Sequence, residues 1–246
     1  MIKGLYITEA GMTPKLARME IIANNLANIN TTGFKRDKAF TMALDDATAA
    51  TEASGTSQQE LIYEATDFSE GTLRPTNNPL DIALQGRGFF AVQTPDGVRY
   101  TRNGNLQLSL DGTIVTGGGY PVLGANGNLQ VPDVQHLQAG SIHINETGEV
   151  MIDKQSIGTL RVVDFADYMA IHKDGTSLFR VDPGTLETSA LGTQTAIKQG
   201  YLEDSNVDGI REMISMIDVS RAFEADQKAL RAQDATLDKT NSVGQV

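Results

Sequence analysis

SNVDGIREMISMIDVSRAFEADQKALRAQDATL, residues 205–237, carries the pattern that decides the fold. Met216, Phe223, Leu230 and Leu237 recur every seven residues along it. Just upstream, Ile210, Met213, Ile214 and Ile217 sit at the spacing of one helix face. Their flanks are polar: Arg221, Glu224, Asp226, Gln227, Lys228, Arg231 and Asp234. The segment Ser205-Asn206-Val207-Asp208 reads as a cap, with a carboxylate in the first turn beside the positive end of the helix dipole. Periodicity alone fits a surface helix on a globular core. It also fits one strand of a coiled coil, which needs three to four heptads.

The N-terminus mirrors this pattern. Leu5, Met12, Met19 and Leu26 are seven apart, and Leu16 and Ala23 follow Met12 and Met19 by four. Ile22 and Ile29 widen the seam on one side. Pro14 interrupts it. Thr13 can cap a helix that has Pro14 at its first position, where the missing N–H costs nothing. Residues 1–12 are then expected as a separate or kinked first turn. The helix is expected to stop at Thr32-Gly33, with Gly33 serving only to end it. Asn24, Asn25, Asn28 and Asn30 put four asparagines within seven residues. Asparagine competes for backbone hydrogen bonds inside a helix. Four of them predict either helix termination or side-chain bonding to neighbouring chains, as expected of a helix packed among copies of itself.

Charge favours pairing of the two ends. Residues 1–36 carry five basic and two acidic side chains, a net of +3. Residues 205–246 carry five basic and seven acidic ones, a net of −2. With −11 over the whole chain of 246 residues, the middle holds −12. The attraction between the ends is modest in salt, but no repulsion opposes their docking.

The middle reads as β. Turn signals, most of them Asx-Gly, recur at Asp96-Gly97, Asn103-Gly104, Asp111-Gly112, Asn126-Gly127, Thr147-Gly148, Asp174-Gly175 and Pro183-Gly184. Short apolar runs lie between them, such as 89–92, 106–108, 113–115, 141–144 and 159–163. This spacing predicts an irregular antiparallel domain. Residues 45–60 hold almost no large apolar group and read as an exposed connector.

The composition excludes several chemistries. With no Cys, there is no thiol catalysis, disulfide or thiolate-held metal. His136, His143 and His172 lie too far apart for an i,i+4 pair, and His143 alternates with Ile142 and Ile144 as on a strand. The acidity argues against a nucleic-acid surface. No apolar run reaches the 18 residues of a spanning helix, so no membrane insertion is expected, and the start MIKGLYITEAGM lacks a signal-peptide core. Gly117-Gly118-Gly119 lacks the Lys-Ser/Thr of a phosphate loop, and Asp111-Gly112-Thr113 begins no calcium-ligand ladder. Asp81 and Asp96 are not accompanied by a converging His or metal cluster. No catalytic, cofactor-binding or metal-ligating residue is assigned, and no small-molecule substrate is expected.

Four collinear stretches carry a resemblance. ANNLANINTTGFKR (23–36) resembles the N-terminal signature of bacterial flagellar rod and hook proteins. TDFSEGTLRPTNNPLDIALQGRGFFAVQTPDGVRYTRNGNLQL (66–108) is similar to the family's connector and first β segment. DGTIVTGGGYPVLG (111–124) resembles its following hairpin, and GYLEDSNVDGIREMISMIDVSRAFEADQKAL (200–230) its C-terminal signature. Residues 125–198 carry little of it.

The resemblance implies a structural subunit of the flagellar rod in the periplasmic space, not an enzyme, that transmits torque from motor to hook. Its partners would be copies of itself, other rod proteins and the type III export apparatus, without a cleaved signal peptide. A chain with no Cys suits passage across the envelope unfolded. The expected fold is α+β: terminal helices forming a coiled-coil-like domain, with an antiparallel β domain inserted between them. The expected divisions are a helical segment 1–44, a connector 45–79, a β domain 80–200 and a helical segment 201–246. The expected assembly residues are Leu5, Met12, Leu16, Met19, Ile22, Asn24, Asn25, Leu26, Asn28 and Phe34 at one end. At the other they are Asn206, Met213, Met216, Ile217, Phe223, Leu230 and Leu237. Only about thirty residues separate Arg36 from Thr66. That is short for the distal rod proteins of the family, so the wording points to a proximal rod protein, with a distal one as the alternative. A secreted β protein that binds or hydrolyses peptidoglycan would need convergent acids or aromatics in 80–200, and no such site is legible.

Overall fold

The structure, a computed structural model, describes residues 2–43, 60–131, 142–153, 155–190 and 195–243. The chain divides into two units. One comprises Met1–Ala27, Asp37–Asp67 and Val207–Val246; the other comprises Asn28–Arg36 and Phe68–Asn206. Most of the connector expected at 45–60 lies outside the described residues.

The first unit holds helix α1 (Ile2–Ala27), strands β1 (Asp37–Ala43) and β2 (Glu60–Thr66), and helix α2 (Gly209–Val243). Helix α1 runs through Pro14 without a break, so residues 1–12 are not a separate turn. Tertiary packing holds the helix across the missing N–H, and Pro14 itself is buried. The helix ends at Ala27, several residues before Thr32-Gly33. Two successive turns follow, closed by Thr31 N–H to Asn28 O (3.1 Å) and Phe34 N–H to Thr31 O (3.2 Å). The asparagine-rich stretch terminates the helix.

Strands β1 and β2 form an antiparallel ribbon in which Phe40 faces Tyr63 across the ladder. The buried Asn25 fixes this ribbon to α1. Its Nδ2 donates to Asp37 O (2.8 Å) and its Oδ1 accepts from Asp37 N–H (2.9 Å). Helices α1 and α2 pack on one another. Lys15 is ion-paired with Asp226, and Ile22 and Val219 are buried.

This is not the coiled-coil-like domain expected. Among the described residues there are two α-helices in the whole chain, one of them packed also on a β ribbon, and most of the remaining structure is antiparallel sheet. A coiled coil closes its seam on a partner seam along its length. Here Leu16, Met213 and Ile217 are exposed, and Met12, Met19, Leu26, Met216, Phe223 and Leu230 are half-buried. The α+β mixture stands; the coiled-coil framing does not.

The second unit is built on a six-stranded antiparallel sheet. Its spatial order is 171–173, 178–181, 97–101, 89–94, 162–165 and 187–189. Strand 89–94 reads Phe-Phe-Ala-Val because both of its faces are buried. Phe89 and Ala91 enter one cluster with Tyr100, Phe165, Ile171 and Phe179. Phe90 and Val92 enter the other, with Ile82, Leu84, Ile114, Val122, Leu160 and Ile197. The first cluster is aromatic: Phe89 meets Phe68 edge-on at 5.6 Å, and Tyr100 meets Phe165 at 4.9 Å. Each such side chain, fully buried, stabilises by roughly 1.5–3 kcal/mol. Smaller antiparallel pairs complete the unit, including 82–85 with 196–199 and 73–75 with 201–203.

Gly104 shows how closely the backbone is packed here. Ile82 N–H donates to Gly104 O at 3.0 Å, and a Cβ on Gly104 would lie 1.7 Å from the Ile82 carbonyl oxygen. Gly104→Ala is therefore expected to destabilise this unit by about 3 kcal/mol through forced backbone separation. Gly119 has φ +81° but open space around it, so Gly119→Ala is expected to cost only about 1 kcal/mol. Urea denaturation followed by far-UV circular dichroism measures both, and equal losses would contradict the packing described.

Candidate assembly surface

Helix α2 begins on a well-made cap. Asp208 Oδ1 accepts from the N–H groups of Ile210 (3.1 Å) and Arg211 (3.3 Å), and Arg211 Nε lies 3.1 Å from Asp208 Oδ2. The cap is thus Asp208 itself rather than Ser205. The first turns then present an apolar stripe that nothing among the described residues covers. Ile210 is 70 % exposed, Met213 49 %, Ile214 55 % and Ile217 51 %. Four large apolar groups on one face are a contiguous patch, not scattered surface residues. Within the same unit, Phe40 and Tyr63 form an exposed aromatic pair on the β ribbon.

The expected assembly residues fall into two groups. In the helical unit, Met12, Met19, Leu26, Met216, Phe223 and Leu230 are half-buried, and Leu16, Met213 and Ile217 are exposed. Ile22 and Asn25 are buried within the unit and Asn24 is exposed. Leu5 and Leu237 lie on the helices, but their side chains are outside the described residues.

Asn28, Phe34 and Asn206 belong instead to the β unit. Asn28 Oδ1 accepts from Thr31 Oγ1 at 3.1 Å. Phe34 is buried, with the Lys173 ammonium 3.9 Å from its ring centre. Asn206 Oδ1 accepts from Arg36 N–H (2.7 Å), and its Nδ2 lies 3.1 Å from both Ser69 O and Ser69 Oγ.

Within the β unit sits a cluster that sequence reasoning missed. Lys35 Nζ is 2.5 Å from Glu203 Oε1, and both side chains are fully buried. Arg102 Nη1 reaches Glu203 Oε2 at 3.3 Å, and Gly71 N–H donates to Glu203 Oε1 at 2.9 Å. Lys35 also donates to Ser69 O at 2.6 Å. Burial pushes the Lys35 amine below its ordinary pKa, and the Glu203 carboxylate opposes that shift. Gly33 does more than end a turn. Its N–H donates to Glu203 O at 2.8 Å, and a Cβ there would lie 2.5 Å from Asn103 N. The partners Lys35 and Glu203 stand 168 residues apart, so no local period reveals them. The available signal was a charge beside a buried apolar residue at each place, Phe34-Lys35 and Leu202-Glu203.

Three family models match this chain. That described as "Flagella basal body rod protein" covers 5–35, "Flagellar hook protein FlgE/F/G D1 domain" covers 83–152, and "Flagellar basal body rod FlgEFG protein C-terminal" covers 198–243. A Buchnera aphidicola flagellar basal-body rod protein FlgG is 32 % identical, over 99 % of this chain and 100 % of its own length. The Bacillus subtilis protein of that name is 34 % identical, over 96 % and 97 %. The chain belongs to the flagellar basal-body rod protein family. A flagellar basal-body rod protein FlgF of Caulobacter vibrioides is also similar, at 31 % identity over 94 % of this chain and 93 % of its own. This rod protein is therefore a structural subunit of the basal body that assembles with other rod components. The rod-protein model at 5–35 spans all of the residues expected to act in assembly at the N-terminal end, and the C-terminal model opens just before Glu203 and runs through α2.

Removing one partner of the buried cluster leaves uncompensated charge, and Glu203→Gln leaves two cations facing each other. It is expected to cost about 3–5 kcal/mol. The paired change Lys35→Met with Glu203→Leu removes one cation with the carboxylate but leaves the buried Arg102 without it, so it is expected to recover only part of that loss. Urea unfolding of the parent and the two variants measures this, and a Glu203→Gln protein as stable as the parent would refute the cluster's role.

Proposed function

We propose that this rod protein polymerises along the rod axis through α1 and α2, in the proximal part of the rod, and transmits torque from motor to hook. The single observation that carries the reading is the uncovered stripe Ile210, Met213, Ile214 and Ile217 on a helix of a rod-family chain. A lone pair of helices with half-buried seams offsets the entropy of ordering only in part. Copies stacked along an axis supply the missing apolar contact, and contacts that do not close on themselves generate an open helix. Leu5, Met12, Leu16, Met19, Ile22, Leu26, Met213, Met216, Ile217, Phe223, Leu230 and Leu237 are its seam residues.

The proximal position is supported by the short stretch between Arg36 and Thr66, of which β1 and β2 form the described part. The reading places the protein in the periplasmic space, delivered by the type III export apparatus without a cleaved signal peptide.

Met213→Asp, Ile217→Asp and Leu230→Asp each place a charge on the proposed seam, where an unpaired buried charge costs several kcal/mol. Each is expected to be exported normally and to abolish incorporation into basal bodies, while near-UV circular dichroism of the β unit is unchanged. Isolated basal bodies probed by immunoblot and electron microscopy measure this, and normal rods built from Leu230→Asp would overturn the seam.

A further inference from the structure

We infer that residues 28–36 are a strap that stays closed on the β unit when the terminal helices are not ordered. Sequence order puts this segment directly after α1, and one helical segment was expected to run to residue 44. Its bonds run the other way. Four successive attachments hold it within the β unit: Gly33 N–H on Glu203 O, Phe34 buried beneath the Lys173 ammonium, Lys35 on Glu203 and Ser69, and Arg36 N–H on Asn206 Oδ1. Lys173 Nζ donates in addition to Lys35 O at 2.5 Å. None of these six interactions uses a residue of the helical unit.

The clasp is the buried charge cluster. Lys35 cannot leave without taking from the fully buried Glu203 carboxylate its shorter ion pair, leaving it only the longer one to Arg102. Gly33 fits only as glycine, because the Arg102-Asn103 backbone occupies the space of any side chain. The strap therefore opens with the β unit and not with α1. Its last residue, Arg36, and the last residue of the β unit, Asn206, remain hydrogen-bonded. The ribbon and α2 thus leave the β unit from two bonded positions whether or not the helices are formed.

Hydrogen exchange followed by mass spectrometry on the full-length monomer tests this, comparing the parent with Ile22→Asp, which loosens α1. Peptides within 11–27 are expected to exchange at least about tenfold faster in Ile22→Asp, while those within 28–36 and 89–101 stay within about twofold of the parent. Acceleration of 28–36 together with 11–27 would overturn the strap, as would a parent in which 28–36 already exchanges like 11–27. Lys35→Met tests the clasp: about tenfold faster exchange at 28–36 with 106–116 little changed is expected. Undiminished protection of 28–36 in Lys35→Met would show that the ion pair does not hold it. Should Lys35→Met fail to fold, the comparison with Ile22→Asp still decides the inference.

Discussion

The ion pair between Lys35 and Glu203 is the constraint on which the rest of the chain's organisation depends. Both charges are wholly removed from water, and both cations of the cluster, Lys35 and Arg102, depend on the one carboxylate of Glu203. Arg102, Ser69 and Gly71 satisfy what the pair leaves over. Four distant segments must therefore come together at one place: 33–36, 69–71, 102 and 203. The chain passes between its two units at residues 27/28, 36/37, 67/68 and 206/207. The cluster, through Lys35, Ser69 and Glu203, lies close in sequence to three of these passages and fixes the β unit's share of each.

The two units solve the burial problem differently. The β unit is closed on itself: strand 89–94 is covered on both faces, and the aromatic and aliphatic clusters share it as a common wall. Among its described residues the helical unit buries few large apolar side chains, Ile22, Val207 and Val219, and leaves a stripe of isoleucine and methionine in water. A folded, self-sufficient β unit joined to an incompletely covered helix pair is the construction expected of a subunit that completes its core only among its copies. That construction agrees with membership of the rod family. No helix among the described residues is long and apolar enough to cross a membrane.

The parts legible in the sequence were those with a period. Heptads located both helices, and Asx-Gly spacing located the β region, because each signal arises from neighbours in the chain. Pro14 misled because propensity puts it at a helix start, whereas packing around a buried proline carries α1 through. The coiled-coil reading failed because a seven-residue repeat fixes which side is apolar and not whether a partner within the same chain covers it. Asn25 and Asn206 were noticed, yet their partners, the Asp37 backbone, the Arg36 amide and Ser69, follow from tertiary proximity alone. The Lys35–Glu203 pair was invisible for the same reason. Each residue read by itself is an ordinary solvated charge.

The most direct measurement of the central claim is an electron cryomicroscopy map of rods containing this chain, at a resolution that shows side chains. The account predicts that Ile210, Met213, Ile214 and Ile217 of α2 are covered by helices of neighbouring copies or other rod subunits, with Lys35 and Glu203 still paired inside each β unit. A map in which that stripe still faces solvent, and subunits meet only through their β units, would contradict it.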